Sequence, residues 1–98
     1  MERFDPGFSR HAQARSQARA IPRGIAGLVI DHANIERNVG GGVVSAMVTK
    51  RKLARLKLVP LADREKMEGV VVLYAEDDGS IVSVFHAHGR KARWYRRR

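Results

Sequence analysis

The chain has 98 residues, 44% of them hydrophobic, and 19 Lys+Arg against 10 Asp+Glu, for a formal charge of +9. That length fits one domain with a single modest core and excludes a separate cofactor domain within these residues. The absence of cysteine excludes disulfides, thiolate metal sites, iron–sulfur clusters and a cysteine nucleophile, and makes a reduced, cytoplasmic protein the simplest expectation.

Residues 1–8 read as a flexible leader, with acids and no apolar run, so no secretory signal is expected. Ser9 is suited to cap a helix running to about Ala20. Ala14, Ala18 and Ile21 share one of its faces, and His11, Arg15 and Arg19 another. A second helix is expected from Pro22, with Ile25, Leu28, Val29 and His32 as its core stripe. Gly24 and Gly27 weaken it, each by about 1 kcal/mol against Ala. From Ile35 the period changes to two, with Ile35, Arg37 and Val39 alternating with Glu36 and Asn38 as in a half-buried strand. Gly40-Gly41-Gly42 lacks the Lys-Ser/Thr of a phosphate loop and reads as a hairpin turn into a second strand, Val43–Thr49.

Lys50–Leu58 reads as a basic helix with Leu53, Leu56 and Leu58 on one side, ended by Pro60. Residues 61–68 read as a polar connection or a further helical turn. The continuous apolar run Val70–Ala75 marks a central strand covered on both faces. Asp77-Asp78-Gly79-Ser80 supplies hairpin chemistry, and Ile81–His88 pairs back. Strict alternation along that last strand puts Val82, Val84, His86 and His88 on one face and Ile81, Ser83, Phe85 and Ala87 on the other. Residues 90–98, with Trp94 and Tyr95, are expected to add an edge strand before fraying. The expected fold is α+β: one or two N-terminal helices on one face of a four-stranded antiparallel sheet, with a basic helix between the two hairpins. The single domain spans residues 9–90, followed by a basic tail, 91–98.

Fourteen of the nineteen cations are Arg, the residue that grips phosphate bidentately and stacks on bases. They gather with the lysines at Arg10–Arg23, Lys50–Lys57 and Arg90–Arg98, away from Glu76-Asp77-Asp78. An anionic macromolecule, nucleic acid first, is the expected partner. The other reading is a solubilising surface with a frayed basic end. No run approaches the roughly 18–20 apolar residues that span a bilayer, so no membrane partner is expected.

The pattern S-x-H-A-x-x-R-x-x-x-R-x-I, from Ser9 through His11, Ala12, Arg15 and Arg19 to Ile21, resembles that of domain-of-unknown-function family 4258, a family of small bacterial proteins. The likeness continues through Val70–Leu73, Asp77-Asp78-Gly79 and Ile81–Val84, and covers residues 9 to about 90. The chain departs from the family pattern at Ser83, where Thr is common, and at Arg23-Gly24, where acidic helix starters are common. The family is similar to the fold group of barnase, EndoU, colicin nucleases and RelE-type toxins. The resemblance implies a toxin-like, metal-independent ribonuclease acting on RNA rather than DNA, without cofactor, and held by an acidic antitoxin or another protein partner.

Metal-free RNA cleavage needs a base, an acid and cations around the phosphorane. Imidazole suits either proton role and guanidinium the third. The candidate catalytic set is His11, Arg15, His86 and His88. The candidate nucleic-acid-binding set is Arg19, Arg90, Lys91, Arg93, Trp94, Tyr95, Lys50 and Arg51. Each has a plainer reading. His11 can cap its helix, and Arg15 and Arg19 can form a solvated stripe or pair with Glu36 or Glu76. His86 and His88 can be a polar strand end or two ligands of a metal lacking a third, so no metal site is assigned. Trp94 can stack a base or close the core, and Tyr95 can donate a proton or stack. An enzyme is therefore set against a non-catalytic module that binds nucleic acid, or an acidic protein, through an Arg-rich face.

Overall fold

The computed structural model describes residues 21–96. Among them the chain forms α1 (Arg23–His32), β1 (Ile35–Gly40), β2 (Val43–Met47), α2 (Lys50–Arg55), α3 (Leu61–Met67), β3 (Val70–Ala75), β4 (Ile81–His86) and α4 (Gly89–Arg96). The expected helix over residues 9–20 and the leader lie outside the described residues.

The strands lie in the order β1-β2-β3-β4, each antiparallel to its neighbour. The fold is thus α+β, two hairpins joined by a helical connection. That connection holds two short helices, where the sequence gave reason for one and a polar stretch. Thr49 caps the first, its side chain accepting from the Lys52 amide at 3.2 Å. The helix stops at Arg55, so Leu58 is fully exposed and outside the core stripe expected of it. Pro60 caps α3, its carbonyl accepting from Asp63 and Arg64.

Register settles which residues face which layer. Ala46, Val72 and Val84 share one row; Arg37, Ser45, Leu73 and Ser83 share the next, on the opposite side. On the first side Val70, Val72, Ile81 and Val84 pack with Ile25, Ala26 and Val29 of α1 and with Met67 of α3. On the second, Met47, Val71, Phe85 and Ala87 pack under Ala92 and Tyr95 of α4. Val71 and Val72 are both fully buried, so β3 is covered on both faces, as its unbroken apolar run anticipates. Each such side chain contributes roughly 1.5–3 kcal/mol of transfer free energy.

Two expectations are corrected here. Helices cover both faces of the sheet, because residues 89–96 form α4 and not an edge strand leading into a loose tail. Gly89 makes the reversal: its φ of +57° lies where a Cβ is penalised, and it turns the chain off β4 and back across the sheet. The second correction concerns β4, where pairing slips between Leu73↔Ser83 and Tyr74↔Ile81. That bulge at Val82 puts Ile81, rather than Val82, in the same core cluster as Val84. β4 also ends at His86, leaving His88 beyond the strand.

The hairpin turns follow the sequence closely. Asp78 Oδ1 accepts from the Ser80 amide at 2.9 Å and its hydroxyl at 2.8 Å. The amide bond first, then the hydroxyl, holds the Asp78 carboxyl below its ordinary pKa. At the other end of the sheet Asn34 Nδ2 donates to Thr49 Oγ1 at 2.9 Å, and the Thr49 amide donates to Asn34 Oδ1 at 3.0 Å. This reciprocal pair joins the end of α1 to the start of α2. No helix of the described residues is long and apolar enough to cross a membrane.

Candidate nucleic-acid interface

Residues 79–98 hold six cations and no carboxylate. Four of those cations, Arg90, Lys91, Arg93 and Arg96, fall on α4. Like charges three residues apart on a helix repel by a few tenths of a kcal/mol. Arg90 and Lys91 also sit in a first turn that has no acidic residue, where the helix dipole disfavours cations. α4 is therefore held by packing. Ala92 is buried against the sheet, and Tyr95 sets its ring edge-on to Phe85 at 5.5 Å.

The other face of α4 carries the candidate site. Trp94 keeps 41% of its surface exposed. The Arg37 guanidinium carbon stands 3.8 Å over its ring centroid, and Arg37 Nη1 donates to the Trp94 carbonyl at 3.0 Å. Tyr95 meets the same indole edge to face at 4.7 Å. Lys91 Nζ lies 4.4 Å from the Phe85 ring centroid. Arg90, Lys91, Arg93, Trp94 and Tyr95 together line a shallow hollow of about 580 Å³. All five belong to the sequence-predicted binding set. Tyr95 is half-buried and serves the core, while Trp94 stands at the surface, the reverse of the plainer readings. Arg37 was missed. Its signal was present, a charged residue at an inward-facing position of a strand, but the partner lies 57 residues away.

A second cluster forms where β4 leaves the sheet. His86 pairs with Val70 in register, and its ring centroid is 6.1 Å from that of His88, the planes tilted by 36°. His88 lines a cleft of about 420 Å³ with Lys50, Glu65, Glu68 and Arg96. Among the described residues no three His, Asp or Glu are grouped to hold a metal ion. Lys50, expected on a binding surface, pairs with Glu68 at 3.3 Å, both half-exposed or more, and its charge is locally offset. Arg51 beside it is exposed. His11, Arg15 and Arg19 lie outside the described residues. The structure thus brings together the α4 set, and separately the two strand-end imidazoles.

The electrostatic contrast between the clusters is sharp. Among the described residues Lys50–Glu68 is the sole ion pair, so Arg37 and the four α4 cations have no carboxylate partner there. A cation-lined aromatic surface without acids suits phosphates and bases; the mixed-charge cleft suits a smaller, dipolar ligand. Comparison with protein-family models, curated proteins and solved structures finds no match to this chain.

Proposed function

We propose that the protein binds RNA, in single-stranded form, through the outer face of α4. The observation that supports this is the unpartnered cationic set Arg90, Lys91 and Arg93 around an exposed Trp94. Phosphates would offset the repulsion along the helix, and the aromatic surface offers contact to unstacked bases. The resemblance to family 4258 points toward RNA as well. Titration of a labelled single-stranded RNA tests the reading. Binding weakens steeply with salt, with a log–log slope near about −3 if four phosphates are neutralised. No binding at low salt, or a flat salt response, overturns it.

A second reading, metal-independent cleavage of the bound RNA, is favoured by the His86–His88 pair. Two imidazoles 6.1 Å apart are close enough for base and acid to act on one phosphate. His11 and Arg15 belong to this reading by resemblance. It requires strand scission in the presence of chelator that His88→Ala removes while RNA binding persists. Binding without scission leaves the non-catalytic module.

A further inference from the structure

The proposed interface leaves open whether the protein only attracts phosphates or also reads bases. Arg37 bears on this. It reaches from the edge strand β1 onto α4, the most cationic helix of the described residues, yet has no carboxylate within ion-pair distance among those residues. An arginine that served only to tie two elements together would lower its electrostatic cost by pairing with an acid. Here the charge rests on an indole face instead. A guanidinium plane is weakly hydrated and stacks on π-systems, where an ammonium does not. Trp94 has a large exposed surface, and its indole N–H has no protein acceptor among the described residues. The phosphate-binding cations Arg90 and Arg93 are on the same helix, within one turn of Trp94.

We infer that Arg37 and Trp94 form a nucleobase-stacking position, so that an unpaired base rests on the guanidinium–indole pair while flanking phosphates sit on Arg90 and Arg93. The inference rests on the RNA-binding reading and adds the class of contact. The ligand must present free base faces, which a duplex hides in its stack and an abasic strand lacks.

Trp94 is the chain's one tryptophan, so its emission reports on this position alone. The experiment titrates the full chain with single-stranded oligoadenylate of about eight nucleotides, the abasic strand of equal length, and duplex RNA. Oligoadenylate quenches Trp94 emission saturably and binds about tenfold more tightly than the abasic strand. Arg37→Ala abolishes that preference and leaves abasic affinity within about twofold of the wild type plus the loss of one charge. Arg37→Lys, which keeps the charge and the fold but not the plane, recovers abasic affinity without recovering the preference. Equal binding of all three probes with unquenched emission overturns the stacking position while the electrostatic RNA reading stands. Binding of none at low salt overturns both. Preference unchanged in both Arg37 variants overturns the assignment to Arg37.

Discussion

Arg37 holds Trp94 twice over, through a hydrogen bond from Nη1 to its backbone carbonyl at 3.0 Å and through its guanidinium 3.8 Å above the indole. The contact ties the C-terminal helix to the edge of the sheet, one strand beyond its packing on Met47, Val71 and Phe85. The only apolar anchors of α4 are Ala92 and the half-buried Tyr95, so this latch is a sizeable part of what keeps the helix in place.

Removing it should loosen α4 more than the rest of the fold. Arg37→Ala is expected to cost about 1 kcal/mol, the worth of a partly exposed cation–π contact with one charged hydrogen bond. For a domain of this size that is a Tm lower by roughly 4–8 °C. Hydrogen exchange should accelerate at the α4 amides while those of β3 stay protected. Uniform acceleration across the sheet would contradict a local latch.

Asn34 and Thr49 make a different kind of joint. Each accepts from the other, and Thr49 also caps α2. Asn34→Ala or Thr49→Ala should each cost about 1–2 kcal/mol by leaving part-buried donors or acceptors without a partner. Because they break the same bonds, the double variant should cost less than the sum, with a coupling of about 1 kcal/mol in a thermal-unfolding cycle. Strict additivity would contradict the reciprocal pair.

The sheet was legible because its signals are local. Val70–Ala75 has no polar interruption, Asp78 and Ser80 build their own turn, and Gly40–Gly42 can reverse the chain unaided. α4 was not legible, since Arg90–Arg96 has weak local reasons to be helical and charge reasons not to be. Its stability comes from Phe85 and Met47, which no short window of sequence brings near. The slip at Val82 was hidden for a related reason: two-residue alternation fixes a face only until a bulge resets it. At the site, spacing revealed His86 and His88 as neighbours and the α4 cations as a group. The Arg37–Trp94 contact depends on how α4 crosses the sheet, which the chain's own periodicities do not encode.

Tyr74 gives the fold an alkaline dependence. Its hydroxyl donates to Glu36 Oε1 at 3.0 Å across the β1–β2–β3 face. Burial, then the Glu36 hydrogen bond and charge, raise its pKa above the ordinary value. A raised folded-state pKa means the stabilisation is complete below about pH 10 and is lost as pH climbs through the folded value. Tyr74→Phe should therefore be somewhat less stable than the wild type near neutrality, and the gap should narrow above about pH 10. Glu36→Gln should move the Tyr74 midpoint back toward that of an ordinary tyrosine in a tyrosine-selective NMR titration. An unmoved midpoint would contradict the role of Glu36.

Charge reversal at two exposed arginines separates a shaped interface from a merely basic protein. Arg90 stands on the α4 face with no carboxylate partner, and Arg51 on α2 next to the Lys50–Glu68 pair, among acids that dilute the local potential. Arg90→Glu and Arg51→Glu change the net charge equally, so a partner drawn by overall charge would lose the same affinity for RNA in both. A partner seated on α4 loses a phosphate contact only in the first. We expect about a tenfold loss for Arg90→Glu and about twofold or less for Arg51→Glu, at one fixed salt concentration. The salt slope should flatten by close to one phosphate's share in the Arg90 variant and stay unchanged in the other. Because both sites are exposed, neither substitution should move Tm by more than about 2 °C, which keeps the affinity difference from being a folding difference. Equal losses would return the α4 cations to the role of a solubilising surface.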